Sequence, residues 1–234
     1  MSTDTAIAPT QTSPNKMLIA MVGIGVLCAL LIVLTYEGTK PRIANLRAEA
    51  LQQAIFKVVP GIERTQAFML NKEDKFVPSG SGDAGDVMVY AGYNDKDQLQ
   101  GIAIEASGQG YADIIRILYG YDYESEEIVG FYVLESKQTP GLGDNIEKDP
   151  AFLENFDGLD VALNESGDDL KNDVVTVKNG TREHDWQVDG ITGATISSRA
   201  IGSIIDKSAS EILPLIRDNL DVFKMDKTNV TDGN

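Results

Sequence analysis

Asp189-Gly190-Ile191-Thr192-Gly193-Ala194-Thr195-Ile196-Ser197-Ser198 sets Thr192, Thr195 and Ser197 around a Gly193-Ala194 pair, directly before a stretch (198–216) that reads as a helix. Small residues let a bulky group approach the backbone. A helix start offers unpaired N–H groups and the positive end of a dipole to an anion. A hydroxyl in that setting can hold a phosphate or be esterified by one. The plainer reading of the same residues makes Thr195 or Ser197 a helix N-cap and Gly193-Ala194 a tight turn.

Upstream, Ser136-Lys137-Gln138-Thr139-Pro140-Gly141-Leu142-Gly143 is a second glycine-bearing turn. Pro140 fixes one dihedral, and Gly141 and Gly143 permit positive φ or close backbone contact. Strand-like runs lie at 65–70, 87–93, 99–105, 114–119, 128–135 and 174–178, with Asn94-Asp95-Lys96-Asp97 as a hairpin turn. Ser107-Gly108-Gln109-Gly110 breaks the pattern between two of them. Residues 149–163 read as a short helix and turn on Phe152, Leu153 and Phe156, and 164–173 as a polar, acidic loop. Trp186 leads into the glycine-rich motif, where an aromatic either packs in the core or stacks on a ligand. The close spacing of strands, without regular strand–helix alternation, predicts an α+β domain with a mostly antiparallel or mixed sheet flanked by helices.

The N-terminal part is of another kind. Residues 17–36 carry no charge, and a helix of that length spans roughly the ~30 Å hydrocarbon core of a bilayer. Thr35-Tyr36-Glu37-Gly38 is not a small-residue cleavage site, so an uncleaved single span is the reading. Gly25 and Ala29 form a small-xxx-small pair at which another helix can pack, though both residues are common in any span. From Pro41 to Val59 the apolar positions follow a helical stripe that starts at Pro41 and stops at Pro60-Gly61. The expected organisation is a short cytoplasmic tail (1–16), a transmembrane helix (17–36), a juxtamembrane helix (37–60), one folded domain (61–223) and a flexible tail (224–234).

Of 234 residues, 36 are acidic and 20 basic, for a formal charge of −16. Asp4 and Lys16 balance one another ahead of the span, so the acidity lies wholly beyond it. That argues against nucleic acid and against basic-patch binding to anionic lipid. The single cysteine, Cys28, lies in the span, which excludes an intrachain disulfide, a Cys-ligated iron–sulfur cluster and a Cys-x-x-Cys-His haem site. A lone histidine, His184, between Glu183 and Asp185, makes His-centred catalysis a poor expectation and leaves no His-rich metal site. Electron transfer by this chain would therefore need an organic cofactor.

Asp-x-x-Thr-Gly-Ala-Thr-x-Ser over 189–197 resembles the flavinylation signature of the FMN-binding domain in the G subunit of Rnf-type electron transport complexes. The same signature occurs in the C subunit of the sodium-pumping NADH:quinone reductase. Thr139-Pro140-Gly141-Leu142-Gly143 matches the second signature of that family, and the likeness runs in order from the span to the last motif. Family members usually have Glu where this chain has Gln138, and often His at Ser136. The resemblance implies FMN held by a phosphoester on Thr195, with Thr192, Gly193 and Ala194 shaping the attachment turn and Thr139, Gly141 and Leu142 lining the other wall. Asp189 would orient the turn or serve recognition by the transferase.

It further implies a separate flavin transferase using FAD and Mg²⁺, so that no metal and no catalytic acid, base or nucleophile for substrate turnover belongs to this chain. The chain would be a redox relay among other membrane and iron–sulfur subunits, in a complex joining ferredoxin/NAD electron transfer to ion transport. Its domain would lie on the periplasmic or extracytoplasmic side of the cytoplasmic membrane. Lys40, Arg42, Arg47 and Lys57, which follow the span, favour the opposite side by the positive-inside rule, although long domains translocate largely regardless of it. The alternatives are the quinone-reductase counterpart, less well matched by Thr192 where that protein usually has Ser, and an anchored interaction module without cofactor.

Overall fold

The computed structural model describes residues 14–79 and 87–224, and the chain divides into two units, 1–49 and 50–234. Residues 1–13 and 225–234 of the expected tails lie outside the described residues, while 14–16 belong to the first helix and Lys224 to the last.

In the first unit every described residue belongs to α1 (Pro14–Val58). Its most apolar 18-residue window has a mean hydropathy of 3.0 and no buried residue. Length and composition therefore suit it to cross a bilayer. Two helices were expected, the second starting at Pro41, but α1 runs through that proline. Pro41 lacks an N–H, so the carbonyl four residues back, at Glu37, loses its helical donor. Glu37 is exposed, where water can satisfy that carbonyl, and one missing bond does not break the helix. Just ahead, the hydroxyl of Thr35 donates to the Leu31 carbonyl at 2.7 Å and that of Thr39 to the Thr35 carbonyl at 2.9 Å.

The second unit is built on a seven-stranded antiparallel sheet. Its strands are β1 (Arg64–Leu70), β2 (Phe76–Pro78), β3 (Met88–Tyr93), β4 (Leu99–Gln109), β5 (Ile114–Asp122), β6 (Glu127–Glu135) and β7 (Leu159–Asp160), in the order β2-β1-β3-β4-β5-β6-β7. Alternation assigns the faces. Ile102, Ile104, Ile115, Ile117 and Tyr119 enter the large core, while Ala103 and Leu118 meet Ala54, Ile55 and Val58 from the end of α1.

That second contact depends on glycines. Gly120 and Gly130 are cross-strand partners on β5 and β6. A Cβ on either would fall 1.9 or 2.4 Å from the Val58 carbonyl oxygen. Their missing side chains make the trough in which the backbone leaving α1 lies. The helix ends there, and Gly61 turns the chain with φ +78°.

The large core is closed by α2 (Pro150–Leu153), α3 (Thr195–Asp218) and α4 (Leu220–Lys224), together with a parallel pair, β8 (Val175–Val177) and β9 (Gln187–Asp189). Ile201, Ile205, Leu213 and Ile216 on one face of α3 are all buried against the sheet. Tyr119 and Ser208 join their hydroxyls at 2.9 Å across this layer. The architecture is α+β, as expected.

Strand β5 runs on to Asp122, past the expected 119, β2 and β7 are additional strands, and two further boundaries shift beside α3. The chain stays in β4 through Ser107, Gly108 and Gln109, which pair with Arg116, Ile115 and Ile114. Gly108 marks close packing, since a Cβ there would lie 2.6 Å from Ile204 of α3. Helix α3 begins at Thr195, three residues before the expected Ser198, and carries Pro214 within it.

Candidate functional site

The two glycine-bearing turns, 139–143 and 192–195, are far apart in sequence and meet in space. They wall a cavity of about 350 Å³, lined by Tyr111, Thr139, Leu142, Gly143, Gly193, Ala194, Thr195, Ile196 and Ser197. This size lies within the range of small-ligand sites. Of the seven residues expected at the site, Thr139, Leu142, Gly193, Ala194 and Thr195 line the cavity. Gly141 and Thr192 stand beside it within their turns.

The first wall follows β6. Gly141 takes φ +76°, a backbone region open to glycine at little cost. Its N–H donates to the Asp144 carboxylate at 2.7 Å, and Lys148 binds the other oxygen of that carboxylate at 2.5 Å. The Lys148 ammonium, aided by the Gly141 N–H, holds Asp144 below the usual carboxylate range. The Leu142 N–H closes the turn on the Thr139 carbonyl at 3.2 Å.

The second wall is the start of α3. Gly193 has φ +88° with open space where a side chain would be. Ala194 occupies the N-cap position and makes no side-chain cap, and no acid lies in the first turn. The N-cap reading of Thr195 or Ser197 is thereby corrected. Because the turn before Thr195 closes through the Ala194 N–H on the Ile191 carbonyl at 3.1 Å, the helix starts without a polar cap. An uncapped helix start with no competing carboxylate favours an anion.

The hydroxyls of this segment have separate fates. Ser198 is fully buried, with its hydroxyl bonded to the Ala194 and Thr195 carbonyls and to the Ile191 N–H. Ser197 is buried and donates to the Gln138 side chain. Thr195 is exposed, and its hydroxyl has one long contact, 3.4 Å to the Ile191 carbonyl. Of the three, Thr195 loses least by forming a new bond.

Tyr111, Leu142 and Ile196 ring the opening and are each more than half exposed. Apolar side chains left in water around a cavity suit a flat, partly apolar ligand. Together with the uncapped helix start and the weakly held Thr195 hydroxyl, they fit both ends of FMN, the ring and the phosphate.

Other candidates fall elsewhere. The Asp189 carboxylate accepts from the N–H groups of Gly180 and Thr181 at 3.0 and 3.2 Å, so it holds the turn that follows β8. Trp186 is half-buried and stacks on His184, ring centres 4.3 Å apart, and neither lines the cavity nor joins the core. Among the described residues no group of His, Cys, Asp and Glu is arranged to hold a metal ion. A larger cavity, about 640 Å³, lies between β4 and α3 and contains none of the signature residues.

Sequence reasoning missed Tyr111 and Asn155, and gave Gly143 and Ile196, which lie inside the two motifs, no place in the cavity lining. Asn155 is 2 % exposed and binds both the N–H and the carbonyl of Asp189, at 2.8 and 3.2 Å. It thus ties α2 and its following turn to β9, the strand leading into the second wall. No local pattern marks an asparagine for that role.

Residues 110–210 match the FMN-binding domain family, and that segment contains both walls. The G subunit of the ion-translocating oxidoreductase complex of Methanosarcina acetivorans is 30% identical over 192 residues, covering 80% of this chain and 88% of that one. Its counterpart in the same kind of complex from Aliivibrio fischeri is 31% identical over 203 residues, covering 84% and 89%. Among solved structures, NqrC of Shewanella oneidensis shares the fold with a TM-score of 0.53 at 19% identity, covering 66% of this chain and 82% of that one. The C subunit of the Na⁺-translocating NADH-quinone reductase of Parabacteroides distasonis gives 0.51 at 25% identity, covering 66% and 78%. Fold and cavity define an FMN-binding protein with one membrane-spanning helix. The chain belongs to the family of G subunits of ion-translocating oxidoreductase complexes.

Proposed function

We propose that this chain is a membrane-anchored electron carrier in which FMN, esterified to Thr195, relays electrons within an ion-translocating oxidoreductase complex. The observation that carries the reading is the convergence of both signature turns on one cavity with a weakly held threonine hydroxyl at its edge. FMN supplies one- and two-electron chemistry when bound, and the protein supplies position and electrostatics.

Gly193 and Ala194, at the start of α3, would hold the phosphate with Thr139 and Leu142 opposite, and Tyr111, Leu142 and Ile196 would pack on the ring. A separate flavin transferase acting on FAD would make the attachment. The Thr195 oxygen bonds to the FMN phosphorus, the phosphoanhydride breaks, AMP leaves, and the transferase takes the hydroxyl proton. The residues lining the cavity include no carboxylate or imidazole to take that proton.

The domain is proposed to lie outside the cytoplasmic membrane, where a tether prevents loss of a cofactor that cannot be replaced. Partners are the other membrane and iron–sulfur subunits of the complex. Isolation of the full chain from its native membranes tests the assignment. Flavin that stays with the chain through acid precipitation, together with co-purifying multi-span subunits, is the expected result. A colourless chain that purifies alone would contradict it.

A further inference from the structure

Gln138 is 7 % exposed and both polar atoms of its amide are hydrogen-bonded. The side-chain oxygen accepts from the N–H groups of Tyr111 and Ala112 at 3.2 and 3.3 Å and from the Ser197 hydroxyl at 3.4 Å. Its nitrogen donates to the Asp113 carbonyl at 3.0 Å. Two glycines make room for it. A Cβ on Gly143 would lie 2.9 Å from both the Gln138 Cβ and the Ser197 hydroxyl, and one on Gly110 would lie 2.6 Å from the amide nitrogen. Tyr111, Gly143 and Ser197 all line the cavity, so one buried side chain, at the entry to turn 139–143, joins loop 110–113 to the first turn of α3.

We propose that Gln138 is the positioning residue of this cleft, clamping loop 110–113, turn 139–143 and the first turn of α3 together, and that its neutrality keeps the ground behind the cofactor uncharged. The charge half of this proposal rests on the FMN reading; the clamp half does not. A neutral amide satisfies the four contacts at every ordinary pH, whereas a carboxyl group does so only when protonated. An ionised carboxylate accepts from the same three donors but faces the Asp113 carbonyl with an acceptor instead of a donor. Buried there, it must either take up a proton or carry a negative charge beside the flavin, which disfavours the addition of electrons.

The acids facing this junction are Asp113, from the loop, and Asp144, from the segment after the turn. Asp113 is held below the ordinary carboxylate range by the Ile114 N–H and the nearby Lys137, which also pairs with Glu135. Asp144 is held low by Lys148. Arg199 adds a cationic side chain on the first turns of α3. A titration near neutral pH that appears only in Gln138→Glu would therefore belong to the introduced carboxylate.

Two measurements test the halves separately. In the full chain without flavin, amide hydrogen exchange at Tyr111 and Ala112 should be at least ~10-fold slower in wild type than in Gln138→Ala. Equal rates in the two, or free exchange of both amides in wild type alone, would overturn the clamp. In chain whose FMN attachment has been verified by mass, the midpoint potential of Gln138→Glu should lie below wild type at neutral and alkaline pH. It should converge with wild type as the pH falls and the carboxylate is protonated. Coinciding curves across the range would overturn the charge half, and so would a neutral Gln138→Met variant that shifts as far as Gln138→Glu. If wild type takes up no FMN, the flavin reading fails, and the exchange result still decides the clamp.

Discussion

The two glycine turns that face each other across the cavity are held by different means. Turn 139–143 is braced by side chains: Asp144 grips the Gly141 N–H, Lys148 grips Asp144, and Gln138 lies behind. Turn 192–195 closes through the Ala194 N–H, as the first closes through the Leu142 N–H, and its one side-chain brace is the buried Ser198 hydroxyl, which takes the Ile191 N–H. Each has one glycine at positive φ, Gly141 at +76° and Gly193 at +88°. The first is a wall whose shape is set by polar contacts of its own. The second is a platform whose outward groups are left unspent, and the Thr195 hydroxyl, the proposed point of attachment, sits there. The division teaches that holding a cofactor and bonding to it ask opposite things of neighbouring side chains.

The largest expected effect separates bonding from folding. Thr195→Ala should remove covalent flavin completely, read by fluorescence of the denatured chain on a gel, while stability by urea titration changes by no more than about 0.5 kcal/mol. A variant that kept its flavin would move the attachment to Thr192 or Ser197 and undo the contrast. Next in size, Gly143→Ala should cost about 1–3 kcal/mol, because its new Cβ presses on Gln138 and Ser197 and overpacks the first wall. The same titration measures it. Gly193→Ala has no such neighbour and pays only for the left-handed backbone, about 1–2 kcal/mol. Finding Gly193→Ala the costlier of the two would mean that the platform, not the wall, carries the tight packing.

The smallest effect concerns pH. Asp144 has a lowered folded-state pKa, so its contribution is present above the unfolded carboxylate value of about 3.9. It is lost as pH falls through the folded value. Wild type and Asp144→Asn should therefore differ in denaturation midpoint at pH 7 and converge in acid. A constant gap between them would show that the carboxylate acts by shape alone.

Much of this was legible in the sequence because the signals are local. The uncharged run 17–36, the strand alternation and the Asn94–Asp97 hairpin turn each declare themselves within a few residues. The two signatures predicted the cavity's walls, since small residues and hydroxyls at fixed spacing survive the loss of context. What stayed hidden was relational. Gly120 and Gly130 look like weak points in β5 and β6 until Val58 is laid over them. Pro41 looks like a helix start because a missing N–H costs nothing there, yet the cost inside an exposed helix is also bearable. Trp186 admits two environments by its sequence, and the structure gives it a third, on His184. Asn155 and Gln138 bind backbone groups remote in sequence, which no periodicity announces.

The central claim is a phosphoester on Thr195, and mapping the tryptic peptide 183–199 from natively expressed protein tests it most directly. That peptide contains Thr192, Thr195, Ser197 and Ser198, so fragmentation distinguishes every nearby hydroxyl. The account predicts an added mass equal to FMN less one water, located on Thr195. An unmodified peptide, or an adduct on any of the other three, would contradict it.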